Sequence, residues 1–255
     1  MMGWGFGIRD KIGKALARHL ARDRPGSAQG PTSDIGWLGD TLRPGDVLLV
    51  EGTSRFSAAI KYLTQSTWSH AAICIRGRPH VILLEADVLE GVRCVSLDAY
   101  AGFHTRVCRP VGLRPDEIEQ LIRSLQARVG HQYDLKHIID LARYLLPTPP
   151  VPVRWRRHLL TLGSGDPTRA ICSSLIAEAF QAIRYPILPI VREGDASSTN
   201  RSAAQPQHRL QRRHATLFTP RDFDISPYFE VVKPALARGF DPHALTWVDS
   251  PICAR

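Results

Sequence analysis

The chain is predicted to fold as an α+β domain in which an antiparallel sheet or partial barrel packs against helices. Three observations carry this expectation. Five short β runs crowd between residues 46 and 108, and three helical stretches with one apolar face follow residue 114. Hydrophobic residues make up 44% of 255, enough for one large core or two small ones.

The first 24 residues set Trp4, Ile8, Ile12, Leu16 and Leu20 four apart, with Arg9, Lys11, Lys14, Arg18 and Arg22 mostly elsewhere around the helix. Such a basic amphipathic helix either docks on an anionic membrane surface, with Trp4 and Phe6 at the interface, or packs on the domain that follows. The run PGSAQGPTSDIG at 25–36 reads as a linker, so residues 1–36 form an arm and the domain proper spans 37–234. Residues 235–255 are left as a C-terminal tail.

Strands are expected at DVLLV (46–50), HAAICI (70–75), HVILLEA (80–86), GVRCV (91–95) and HTRVC (104–108). Between the first two, Ser54 caps a short helix reaching Leu63. Pro115 opens the next helix, with Asp116 and Glu117 in its first turn, apolar Ile118, Leu121, Ile122 and Leu125, and Gly130 to end it. Leu135, Ile138, Ile139, Ala142 and Leu145 mark a helix after Asp134, which PTPPVP at 147–152 stops. Residues 147–169 form a basic insertion. The last long helix carries Leu175, Ile176, Ala179, Phe180 and Ile183, with Cys172 in its first turn. Residues 192–215 are polar and read as a mobile loop, and FTPRDFDISPYFEVV at 218–232 returns to a packed pattern that closes the domain.

The net charge of +9 belongs to the arm, the insertion and the polar loop, leaving the presumptive core near neutral. Arginine outnumbers lysine 28 to 5, a skew that codon bias also produces, so it is a weak argument for phosphate recognition. The basic segments lack interleaved aromatics apart from Trp155, and no nucleic-acid partner is expected. No GxGxxG or P-loop pattern occurs, and no cofactor is expected. Five cysteines, none in a CxxC pair, suit neither a disulfide scaffold nor a zinc site; His70 and Cys74 share a strand face but have no further ligand at metal spacing. Cys74, Cys94 and Cys108 lie on apolar strands and read as core. With neither an apolar leader nor a run long enough to span a bilayer, a cytoplasmic location is expected, peripheral on the inner membrane face if the arm docks there.

Chemistry is suggested by three residues. If Ile75 pairs with His80 across the loop of residues 76–79, His70 faces Glu85 on one side of the sheet. A carboxylate there accepts the imidazole N–H and raises the basicity of the other nitrogen; the same pair also serves as a half-buried ion pair of the sheet. Cys172 at a helix start meets unpaired N–H groups and the positive end of the helix dipole, which lower a thiol pKa and can donate to an oxyanion, although a buried core thiol fits the same position. A thiol at a helix start, a strand histidine and a carboxylate paired with it make the combination that nucleophilic catalysis needs.

The runs RPGDVLLVEG (43–52), TWSHAAICI (67–75), LLEA (83–86), GHQYDL (130–135), ICSSLIAEAF (171–180) and TPRDFDISPYF (219–229) resemble the circularly permuted branch of the NlpC-like papain superfamily, to which YiiX-like hydrolases and lecithin:retinol acyltransferase relatives belong. In that branch the histidine precedes the cysteine, as it does here. The resemblance implies a papain-like, permuted NlpC-type fold over roughly residues 40–232, with Cys172 as nucleophile, His70 as general base and Glu85 as third member. It further implies that Tyr133 and Ser173 help bind substrate or an oxyanion. The expected activity is hydrolysis or acyl transfer at the amide or ester bond of a small peptide, amide or lipid substrate. The alternative from another class is a non-catalytic membrane-associated binding or adaptor module that keeps the fold.

Overall fold

In a computed structural model, residue 22 and residues 33–87, 90–131, 171–192, 209–244 and 246 are described. The expected arm, the helix after Asp134 and the insertion at 147–169 lie outside these, apart from Arg22 and residues 33–36 of the arm.

The first element was not expected. Helix α1 (Ile35–Thr41) starts inside the stretch read as linker, and the Asp34 side chain accepts hydrogen bonds from Gly36 N and Trp37 N as its N-cap. Seven residues with two glycines have little helical propensity of their own. Burial of Leu38 and Thr41 holds the helix in place.

Six strands then build one open sheet, β1 (Val47–Glu51), β2 (His70–Arg76), β3 (Ile82–Asp87), β4 (Gly91–Ser96), β5 (His104–Pro110) and β8 (Phe229–Val232). Their order is β4-β3-β2-β1-β5-β8, every pair antiparallel. The α+β prediction therefore holds in its open-sheet form. All five residues of the central strand β1 are buried, which is why it reads as the unbroken apolar run VLLV rather than an alternation. Gly45 ahead of it has φ +92, a left-handed conformation that favours glycine. That turn delivers the carboxylate of Asp46, 1% exposed, to Arg109 Nε and Nη2 at 2.9 and 2.7 Å, tying the start of β1 to β5.

Helix α2 (Arg55–Thr64) bridges β1 and β2, capped by Ser54 as expected, its side chain accepting from Ser57 N. Helix α3 (Pro115–Gln126) opens at Pro115 and ends at Gln126, where a turn over residues 127–130 leads to Gly130. Helix α4 (Ile171–Ala182) carries Cys172 in its first turn, and α5 (Pro220–Asp224) precedes β8. The ends of the stretch read as a mobile loop pair with each other as β6 (Ile190–Arg192) and β7 (Arg209–Gln211). A short α6 (Pro234–Ala237) packs near α1 in what was read as tail.

Both faces of the sheet are covered. On one, α3, α4 and α5 seal Leu49, Ala71, Ile73, Leu84 and Ala86; on the other, α1 and the 3-10 turn Leu97–Tyr100 seal Leu48, Ala72, Cys74 and Leu83. Cys94 departs from the core reading: it is exposed, because β4 is an edge strand and only its first residues reach beneath the helices. Among the described residues no helix is long and apolar enough to cross a membrane.

The helix face is pinned by Phe180 of α4, which is fully buried with its ring centroid 5.3 Å from Phe229 and 5.5 Å from Tyr185. Phe180→Ala empties the joint between α4 and the last strand, and is expected to cost about 3–5 kcal/mol in urea unfolding.

Candidate active site at the open end of the sheet

The site lies where β2 starts and β3 ends. The TWSH run delivers His70 there by fixing the residues before it. Trp68 is buried, donates its indole N–H to Asp224 Oδ2 at 3.0 Å, and lies under the Arg106 guanidinium. Ser69 accepts from Gly52 N at 2.9 Å. A side chain at Gly52 would put its Cβ 2.2 Å from Ser57 Oγ and 3.0 Å from Ser69 Oγ, so this crossing requires glycine.

The imidazole of His70 is three-quarters buried, and its Nε2 lies 2.7 Å from Glu85 Oε2. The expected register is corrected. Glu85 stands opposite Ala72, not His70, because β3 begins at Ile82 and a bulge shifts the pairing between Cys74 and Arg76. The slip is two residues, so Glu85 keeps the face of His70 and reaches it diagonally. Nε2 is taken by Glu85, and the Cys172 side chain, in the first turn of α4, stands near enough for its charge and hydrogen bonding to act on the ring.

Cys172 belongs to the core on the helix side of the sheet, whereas Tyr100, which donates to Glu85 Oε2 at 2.5 Å, belongs to the core on the other side. His70, at the strand end, joins the two. Glu85 is 6% exposed and carries a third partner, Arg93, its directly opposite residue on β4, with Nε and Nη2 2.9 and 2.8 Å from Oε1. Arg93 in turn pairs with Glu90.

These neighbours set the charge states. Burial alone raises the Glu85 carboxyl, but the hydrogen bond and charge of His70, with hydrogen bonds from Tyr100 and Arg93, bring it down to about 2. Burial alone lowers His70; the charge and hydrogen bond of Cys172, followed by those of Glu85, more than offset it and hold the ring at about 10. Tyr100 is raised by burial and by the Glu85 charge, so it remains a donor. Such an arrangement favours an imidazolium held by the Glu85 carboxylate and standing beside the Cys172 side chain.

A second pair, His104 Nδ1 and Glu51 Oε2 at 2.9 Å, stands at the same end of the sheet, with Lys61 Nζ 2.9 Å from Glu51 Oε1. It has the residue types of the first pair, but among the described residues no thiol is recorded in contact with it. Sequence reasoning missed Tyr100 and Arg93. Arg93 was available from a β3–β4 register, since GVRCV follows LLEAD by one short turn; Tyr100 depends on the 3-10 turn and had no local signal. The hydroxyl of Ser173, expected near substrate, is fully buried and donates to Phe218 O at 2.7 Å. Tyr133 lies outside the described residues. Among the described residues no group of three or more His, Cys, Asp or Glu is gathered as a metal site.

Tyr100→Phe keeps the ring and removes one charge-assisted hydrogen bond. Its expected cost is about 1.5–3 kcal/mol, read from the urea midpoint, with slower alkylation of Cys172.

Fold and site together define an α+β protein in which a strand histidine, held by a carboxylate, meets a cysteine at the start of a core helix. No family model matches the chain, and no curated protein matches its sequence. Among solved structures it is similar to the metalloprotein YiiX from Escherichia coli O157:H7, with a TM-score of 0.46 and 16% identity over 75% of this chain and 96% of that one.

Proposed function

We propose that this chain is a cysteine-dependent hydrolase or acyltransferase of the permuted NlpC-like papain type. The observation that carries the reading is the His70–Glu85 hydrogen bond with Cys172 close enough to act on the same imidazole. The Cys172 thiolate attacks a carbonyl carbon, forming a C–S bond. The oxyanion is met by the backbone N–H of Cys172 at the helix start. His70 passes its proton to the leaving nitrogen or oxygen as the C–N or C–O bond breaks. Water or an acceptor hydroxyl or amine, deprotonated by His70, then displaces the acyl group, breaking the C–S bond and regenerating the thiolate and the imidazolium. Glu85 holds the ring and favours its charged form throughout, with Tyr100 and Arg93 fixing Glu85.

The substrate is an amide or ester of a small peptide or a lipid. The basic arm at residues 1–24 favours a substrate at an anionic membrane surface, with the protein peripheral on its inner face. The competing reading, a non-catalytic module that keeps the fold, draws on the 5% exposure of Cys172. Intact-mass spectrometry after incubation with an activated ester such as p-nitrophenyl acetate separates the two. An acyl adduct on Cys172, absent from Cys172→Ala, is expected; a protein that forms no adduct while Cys172 remains reduced is the adaptor.

A further inference from the structure

At the opposite end of α4 from Cys172 a cavity of about 210 Å3 is lined by Arg184, Arg212 and Arg213, with Gln181 and an apolar wall that includes Ile187 and Phe218. Arg213 is committed: its guanidinium stacks on Phe218 and lies 3.8 Å from Asp222. Arg184 and Arg212 are exposed and pair with no carboxylate among the described residues. Neutralising the C-terminus of α4 does not account for them. Among the described residues, three guanidinium charges stand against one carboxylate and about half a negative charge from the helix end, so the excess is positive.

The backbone gives an independent sign. Arg184 holds φ +61, two residues past the end of α4, where glycine or asparagine is the residue that adopts this conformation without strain. Keeping a long charged side chain there costs stability, and strain retained at one position points to a use for that side chain. Guanidinium forks match the oxygens of a phosphate group. The cavity is smaller than the roughly 300–1,000 Å3 that enclose whole drug-sized ligands, so it suits a headgroup-sized anion with a short apolar extension. Exposed Ile190 and Leu217 belong to the β6–β7 ladder and the turn beside it.

We propose that this cavity is a binding site for a phosphate-bearing anion, separate from the chemistry at Cys172. Its source is either a phospholipid headgroup or a free phosphate, and calorimetric titration of the full chain with water-soluble dihexanoyl phosphatidylglycerol and with inorganic phosphate distinguishes them. Binding of at least one probe is expected, the tighter one naming the source. Arg184→Gly with Arg212→Ala, which relieves the backbone strain and alters only exposed side chains, is expected to weaken that binding at least tenfold. The charge-matched pair Arg76→Ala with Arg123→Ala, and Cys172→Ala, are expected to leave it unchanged. The proposal is overturned if neither probe binds the wild-type chain, if the cavity variant binds as tightly as wild type, or if the charge-matched pair loses as much affinity, which would assign the binding to overall charge.

Discussion

Cys172→Ser is expected to lower turnover of an activated ester by roughly 10^4- to 10^6-fold, the scale seen when a nucleophile acting as one unit with its base is removed. The hydroxyl nearly matches the thiol in volume, so the helix start and its core contacts remain, and the loss is one of chemistry. A second readout needs no substrate. Substoichiometric iodoacetamide at near-neutral pH is expected to modify Cys172 before Cys94. Accessibility alone gives the opposite order, since Cys94 is exposed and Cys172 is buried. What reverses it is the charged imidazole beside Cys172, while burial, the largest influence on Cys94, raises that thiol. Cys74 and Cys108 are buried, and burial pushes each up to about 12, so neither competes. Peptide mapping that finds Cys94 labelled first removes the basis for a nucleophile at Cys172.

Much of this site was legible because its residues sit in strong local patterns. The strands announce themselves as β-branched and leucine-rich runs, and Pro115 and Ser54 mark helix starts by fixed backbone chemistry. His70 and Glu85 were paired from a wrong register, yet the contact exists, because a slip of two residues preserves the face and a slip of one would have destroyed it. What stayed hidden depends on topology. Nothing in GVRCV says that β4 is an edge, so Cys94 looked like Cys74. Tyr100 reaches Glu85 from the face opposite α4, by way of a four-residue 3-10 turn that no periodicity reports. Helix α1 was hidden by its own glycines, since tertiary burial and the Asp34 cap stabilise it.

Glu85→Gln separates a positioning carboxylate from an ion pair that only stabilises the sheet. The amide keeps the shape and its oxygen can still accept from His70 and Tyr100, and although its NH2 cannot accept from Arg93, Arg93 retains Glu90 as an ionic partner. The stability cost is therefore expected to be about 1–3 kcal/mol, below the cost of leaving a buried charge alone. The effect on rate is larger, roughly 10^2- to 10^4-fold in acylation, because the ring loses the charge that orients and protonates it. The pH dependence carries the distinction. His70 is raised from 6.5 to about 10, so its contribution to stability, and the imidazolium needed for acylation, are fully present below 6.5 and lost as pH rises through about 10. Glu85 is lowered from 4.5 to about 2, so its contribution is present above 4.5 and lost as pH falls through about 2. Removing the Glu85 charge takes away one of the influences that raise His70, and the alkaline limb of the acylation profile is expected to move from near 10 toward neutrality. The acid-side loss of stability that belongs to Glu85 disappears at the same time. A variant that is less stable but keeps the wild-type alkaline limb would make Glu85 a structural partner of Arg93 and Tyr100, and leave Cys172 and His70 to act as a dyad.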